Sequence, residues 1–183
     1  MITMMKRWIA LSALLLLTAC ANTKPSTAPE TSSYQNSSAG YSISYPRGFA
    51  VRENDTLITD DFQIDGTAFI FPDSYAEGKT LNETKIHVGV QKDACPDSQS
   101  PKTAVTINNT QFQKFDWSGV GAGNLYQGTT YETMHGNFSC YIITLYMHSC
   151  NLGPDCSPGH AKSFDKQPLV DVFEKMLGTF KVL

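Results

Sequence analysis

The sequence holds no apolar run of the roughly 20 residues that a membrane-spanning helix needs. Its candidate, residues 8–19, stops after about a dozen and gives way to Asn22, Thr23 and Lys24. Clusters of Lys and Arg are missing too, which excludes the phosphate contacts on which nucleic-acid binding depends. No Cys-x-x-Cys pair occurs, so neither the usual zinc spacing nor a dithiol oxidoreductase motif is present. The G-x-S-x-G elbow is absent, since Ser118 in Trp117-Ser118-Gly119 lacks the second half. Gly119, Gly121, Gly123 and Gly128 miss both G-x-G-x-x-G and the phosphate-loop spacing, and a β pattern follows them. They read as a bulged or tightly turned loop. The acids Glu53, Asp55, Asp60, Asp61 and Asp65 miss the calcium-loop spacing and read as solvated strand and turn positions. There is no internal repeat. No cofactor, metal ion or nucleic acid is therefore implied.

What is present begins at the N-terminus. Lys6 and Arg7 precede an apolar run from Trp8 to Leu17, and small residues lead to Cys20. This is the pattern of a secretory signal. Leu17-Thr18-Ala19-Cys20 resembles the lipobox of bacterial lipoproteins. That resemblance implies that Cys20 is acylated and becomes the mature N-terminus. It implies three acyl chains, where two already anchor a protein stably. Ala21 rather than Asp at the next position implies the outer membrane, facing the periplasm or exposed at the surface. Removal of residues 1–19 takes Lys6 and Arg7 away, leaving 12 Lys and Arg against 17 Asp and Glu, a formal charge of −5. Trp8 leaves as well, so Trp117 is the one tryptophan of the mature chain.

Residues 20–39 are rich in Ser, Thr, Pro, Asn and Ala. With almost nothing to bury, they read as a lipidated flexible tether. A docked N-terminal strand from Tyr34 onward is the alternative. Residues 40–183 are enough for a single domain with its own core.

Without Cys20 the five cysteines become an even four: Cys95, Cys140, Cys150 and Cys156. In an exported chain that predicts two disulfides. Three pairings satisfy the count. The turn-forming Gly-Pro-Asp between Cys150 and Cys156 favours a local link there, leaving Cys95 with Cys140.

Most of the pattern is β. Tyr41, Ile43 and Tyr45 alternate with Ser42 and Ser44 before Pro46, as an edge or opening strand would. Ile86, Val88 and Val90 alternate with His87, Gly89 and Gln91, predicting a half-buried strand. Asn108-Asn109 and Gly136-Asn137 read as two-residue hairpin turns. From Cys140 to Met147 both faces are apolar, predicting a central strand covered on both sides. Near the C-terminus Leu169, Phe173, Met176 and Leu177 share one helical face, with Val172 beside them. Asp165 or Gln167 caps the start, Pro168 suits the first turn and Gly178 the C′ position. Thr179–Leu183 adds a last strand. The predicted class is α+β: a mostly antiparallel sheet with a C-terminal helix packed on it, stapled by two disulfides.

An early YSISYP followed by GFAV, a meander of hairpins and a terminal helix leading into TFKVL are similar to PsbP/Mog1-like domains. That resemblance implies an accessory or assembly role at a membrane. It transfers no catalytic residue.

The four histidines include two that follow methionine, His135 and His148, which raises a copper site. With a two-residue turn at Gly136-Asn137, His148 falls level with Leu125. The two imidazoles then stand roughly 33 Å apart, and solvated strand-end histidines are favoured. The loop from Pro72 to Thr84 is long for its flanking strands. It offers Tyr75, Lys79 and Asn82 as a contact surface. Gly121 and Tyr126 could meet a ligand if the glycine-rich loop lines a groove. Two functions follow: a non-enzymatic accessory or binding lipoprotein for an envelope protein or glycan, or a small periplasmic hydrolase acting on cell-wall glycan or an ester. A tether without a recognisable catalytic constellation favours the first.

Overall fold

Alternating apolar residues build ten strands, and one amphipathic stretch builds a helix, among the residues described by the computed structural model: 30–76, 80–136, 139–150 and 164–183. The strands are β1 (Thr31–Asn36), β2 (Tyr41–Pro46), β3 (Ala50–Ile58), β4 (Gln63–Ile70), β5 (Leu81–Lys92), β6 (Thr103–Ile107), β7 (Thr110–Gly121), β8 (Asn124–His135), β9 (Ser139–Cys150) and β10 (Lys181–Val182). Helix α1 spans Gln167–Leu177. The main sheet has seven strands in the order β3-β4-β5-β9-β8-β7-β6, and a second sheet runs β1-β2-β10. All observed pairings are antiparallel. The α+β class is as predicted, and β9 stands fourth of the seven strands, the central place its two apolar faces require.

The main sheet has two different faces. On the first, Phe69, Ile86, Val88, Ile143 and Leu145 pack against Tyr41 and Ile43 of the small sheet and against Leu169, Phe173, Met176 and Leu177 of α1. On the second, Leu57, Ile64, Cys140 and Ile142 form a smaller cluster with Phe62, Cys95 and Tyr146. The Cys95–Cys140 disulfide, with Cα atoms 5.1 Å apart, ties the segment after β5 to the central strand. Lys102 holds the same segment, donating to Glu132 Oε1 at 2.7 Å and to the Pro96 carbonyl at 3.0 Å. Among the described residues one disulfide is seen, Cys95–Cys140. The expected Cys150–Cys156 link involves Cys156, which lies outside the described residues.

Turn chemistry sets the hairpins. Asn108 and Asn109 both lie at positive φ, 48° and 62°, and join β6 to β7 through the Ile107–Thr110 pair. That is the two-residue turn expected, with the backbone twist that suits a hairpin. Ala122 and Gly123 do the same between β7 and β8. The turn after β8 differs. His135 pairs with Ser139, so the connection holds one residue more than a two-residue turn. His148 consequently faces Tyr126, not Leu125.

Three further expectations change. The stretch expected to be a tether to residue 39 contains β1, because Tyr34 packs edge-on to Phe69 and the strand pairs with β2 over its whole length. β2 is no edge strand, since β1 and β10 flank it. Gly178 sits in right-handed conformation (φ −61°) rather than as a left-handed cap. Thr179 ends the helix instead: its hydroxyl reaches Met176 O at 2.7 Å and accepts from Ser44 N at 2.8 Å, fixing α1 to β2. At the start, Asp165 Oδ1 accepts from Gln167 N at 2.9 Å, and Pro168 occupies the first turn.

Candidate functional site

The second face of the sheet carries charge under cover. A bulge separates Glu53 from Asp55, with Asn54 between them at φ 55°. The extra residue turns Asp55 toward the sheet. There Lys85 Nζ donates to Asp55 Oδ2 at 2.8 Å, and His87 Nε2 donates to the Asp55 carbonyl at 3.2 Å. Asp55 and Lys85 are buried and His87 is fully so. Asp55 is therefore not the solvated acid expected from the sequence, and β5 is buried on both faces rather than half-buried. Burial alone would raise the Asp55 carboxyl, but the hydrogen bond and charge of Lys85 hold it below its ordinary value. Burial lowers the His87 imidazole, outweighing the Asp55 carbonyl bond that favours protonation. The group is sealed and structural in geometry.

Beside it lies an open groove. Trp117 pairs with Gly128 across β7 and β8, and its indole lies directly on that glycine: a Cβ there would stand 2.2 Å from the ring. The indole N–H donates to Thr130 Oγ1 at 3.1 Å. Tyr146 stands next to it, ring centroids 6.2 Å apart. Lys85 Nζ sits 5.4 Å from the Tyr146 centroid, joining groove to charged cluster. Burial first, then the charges of Glu83 and Tyr126, pushes the Tyr146 hydroxyl up to about 12, so it remains a donor at neutral pH. Tyr126 completes the wall. Its ring stacks on His148 at 4.7 Å with planes 16° apart, and His148 Nε2 donates to Asn124 Oδ1 at 2.9 Å. A cleft of 260 Å³ opens between Trp117, Gly119, Gly121, Tyr126, Tyr146 and Ile58. Two large apolar residues at its rim, Ile58 at 64 % and Val120 at 78 %, are exposed. A second cleft of 320 Å³ lies across Trp117, lined by Asp61, Gln99, Ser100 and Ser118. Thr59 and Asp60 belong to both.

The sequence candidates divide accordingly. Gly121 and Tyr126 do line one cleft. Tyr75 lies elsewhere, half-buried against Phe71 at 5.1 Å and Phe49 at 6.5 Å on the first face. It is a packing residue there and does not share a surface with Tyr126. Asn82 is exposed on β5, while Lys79 and Cys20 lie outside the described residues. His148 is half-buried and bonded, not a solvated strand-end histidine, and His135 lies at the far end of β8. Among the described residues the metal-capable grouping is Cys95, Cys140 and Glu132, whose two sulfurs are joined in the disulfide. Trp117, Tyr146, Ile58 and Asp60 were not anticipated as site residues. A signal for some of them existed: Trp117, Gly119 and Gly121 alternate, as do Tyr126 and Gly128, placing aromatic rings and bare backbone on one face.

The fold and groove define an antiparallel sheet with one layered face and one open, aromatic face. No family model matches the chain, and no curated protein matches it. Among solved structures, a protein of Bacteroides thetaiotaomicron VPI-5482 is similar with TM-score 0.48 and 12 % identity. That likeness covers 82 % of this chain, which spans about half (48 %) of the Bacteroides protein. The PsbP of Synechocystis sp. PCC 6803 (CyanoP) is similar with TM-score 0.45 and 10 % identity, covering 91 % of this chain and 99 % of CyanoP. No residue role is carried over from either. Among the described residues no helix is long and apolar enough to cross a membrane.

Proposed function

We propose that the chain is an outer-membrane lipoprotein, anchored through Cys20, whose folded domain is a non-enzymatic binding module for an envelope partner. The observation that supports it is the groove over Trp117, with bare glycine backbone, three aromatic side chains and polar groups at one rim. A concave site that combines aromatic walls with a few convergent polar groups is the usual form of a binding site. The charged cluster of Asp55, Lys85 and His87 is buried beneath it, and the carboxylates that line the groove are those of Asp60 and Asp61.

With β1 starting at Thr31, the anchoring stretch shortens to about ten residues, a root-mean-square reach of roughly 17 Å. The domain then works close to the bilayer that holds it. A second disulfide between Cys150 and Cys156 closes the far end of β9.

The test is membrane fractionation of the full-length chain beside its Cys20→Ser variant, with metabolic lipid labelling. The native chain is expected in the outer-membrane fraction with label, and the variant soluble without it. Label on Cys20→Ser would sink the anchor. Turnover of a cell-wall or ester substrate by the purified domain would replace the binding module with a hydrolase.

A further inference from the structure

We propose that the groove over Trp117 is a glycan-binding site that seats at least two consecutive pyranose rings. This rests on the binding-module reading and names the chemistry of its ligand.

Trp117 is set in place before any ligand arrives. Gly128 lies beneath the indole, Thr130 holds its N–H and Tyr146 flanks its edge. A platform held by three contacts loses little freedom on binding. The electron-rich face of an indole attracts weakly positive C–H groups, and the C–H side of a pyranose ring presents a flat row of them.

The two clefts differ in the way the two sides of a sugar differ. One is walled by Tyr126, Tyr146 and the backbone of Gly119 and Gly121; the other offers the Gln99 amide, the Ser100 hydroxyl and the Asp61 carboxylate. Asp60 bridges them. Its Oδ2 stands 2.6 Å from where a Cβ on Gly119 would be, so the carboxylate occupies the space that the glycine leaves. Donors and acceptors together suit a polyol, whereas an ammonium ligand would use the acceptors alone. At 320 Å³ one compartment lies at the small end of ligand sites and at 260 Å³ the other lies just below it, room for one ring each rather than for a helix. A net charge of −5 on the mature chain favours a neutral glycan over a phosphorylated one.

Gly121 supplies a clean variant. Its φ is not positive, and an added Cβ meets only Tyr126 at 4.0 Å. Gly121→Val is therefore expected to fold while narrowing the groove.

The experiment uses the mature chain carrying Cys20→Ser, titrated with chitotetraose and with maltotetraose while Trp117 fluorescence is followed. A saturable change with either sugar is expected, and the better ligand identifies the linkage preferred. Gly121→Val should keep its melting temperature and lose about tenfold in affinity. Trp117→Ala, read by calorimetry with circular dichroism as the folding check, should lose about 30-fold or more. No saturable response to either sugar, or equal affinity in folded Gly121→Val, overturns the proposal. Saturable capture of one envelope protein by both forms, without sugar binding, overturns the glycan site and leaves the binding module standing.

Discussion

Lys85 and Asp55 meet 2.8 Å apart beneath the aromatic groove, each with its side chain less than a tenth exposed. Removing Lys85 leaves the buried Asp55 carboxylate with the more exposed Arg52 guanidinium, 3.3 Å away, as a weaker counter-ion. Lys85→Met is expected to cost about 3–5 kcal/mol, read as a fall in the urea midpoint. A variant replacing both, Asp55→Leu with Lys85→Met, should recover much of that loss, because no charge is then left buried. Equal losses in the single and double variants would contradict this account.

The same cluster sets a pH dependence. His87 is held neutral, its pKa lowered in the folded chain, so the unfolded chain binds more protons between the folded and unfolded values. Stability is then complete above the unfolded value and falls as pH drops through it. Asp55 is likewise lowered, and its contribution is lost at still more acidic pH. Chemical denaturation between neutral and mildly acidic pH should show a declining midpoint, and His87→Gln should flatten the slope. A flat profile in the native chain would dismiss the idea.

The disulfide joins residues 45 apart in sequence. By loop-closure entropy it stabilises the fold by about 4 kcal/mol. Cys95→Ala with Cys140→Ala should lower the melting temperature by an amount consistent with that figure. Thiol titration of the denatured, unreduced Cys20→Ser chain should find no free cysteine if Cys150 and Cys156 are also joined.

Gly128 lies under the indole of Trp117. In Gly128→Ala the new methyl would stand 2.2 Å from the ring, so Trp117 must lift away. The expected results are a red-shifted emission and a loss of about 1–3 kcal/mol. Unshifted fluorescence would mean that the indole does not lie flat on β8.

Asn109 sits at φ 62° in the second place of its turn. Glycine takes that conformation without steric cost. Asn-Gly is the favoured pair of such a turn, so Asn109→Gly should raise stability slightly despite the wider unfolded ensemble that glycine brings, measured as a higher urea midpoint.

Local chemistry was legible where it acts over a few residues. The helix face of Leu169, Phe173, Met176 and Leu177, the Asn108-Asn109 turn and the doubly apolar β9 all follow from period and turn preference. So does the Cys95–Cys140 pairing, once Cys150 and Cys156 are set aside as neighbours. What failed to show were displacements of one residue. The bulge at Asn54 moves Asp55 from the expected solvated position to the buried face, and the longer turn after His135 brings His148 opposite Tyr126. A one-residue slip in a strand exchanges its faces, and no sequence signal announced either slip.

The site divides in the same way. The sequence by itself determined the mostly antiparallel β architecture with its C-terminal helix and the Cys95–Cys140 pairing. These depend on residue identity and short spacing. Only the tertiary structure decided that Trp117 lies on Gly128, that Tyr146 stands beside it, and that Asp60 crosses over Gly119. Those residues come from β7, β8, β9 and the turn after β3, and only cross-strand register brings them to one face.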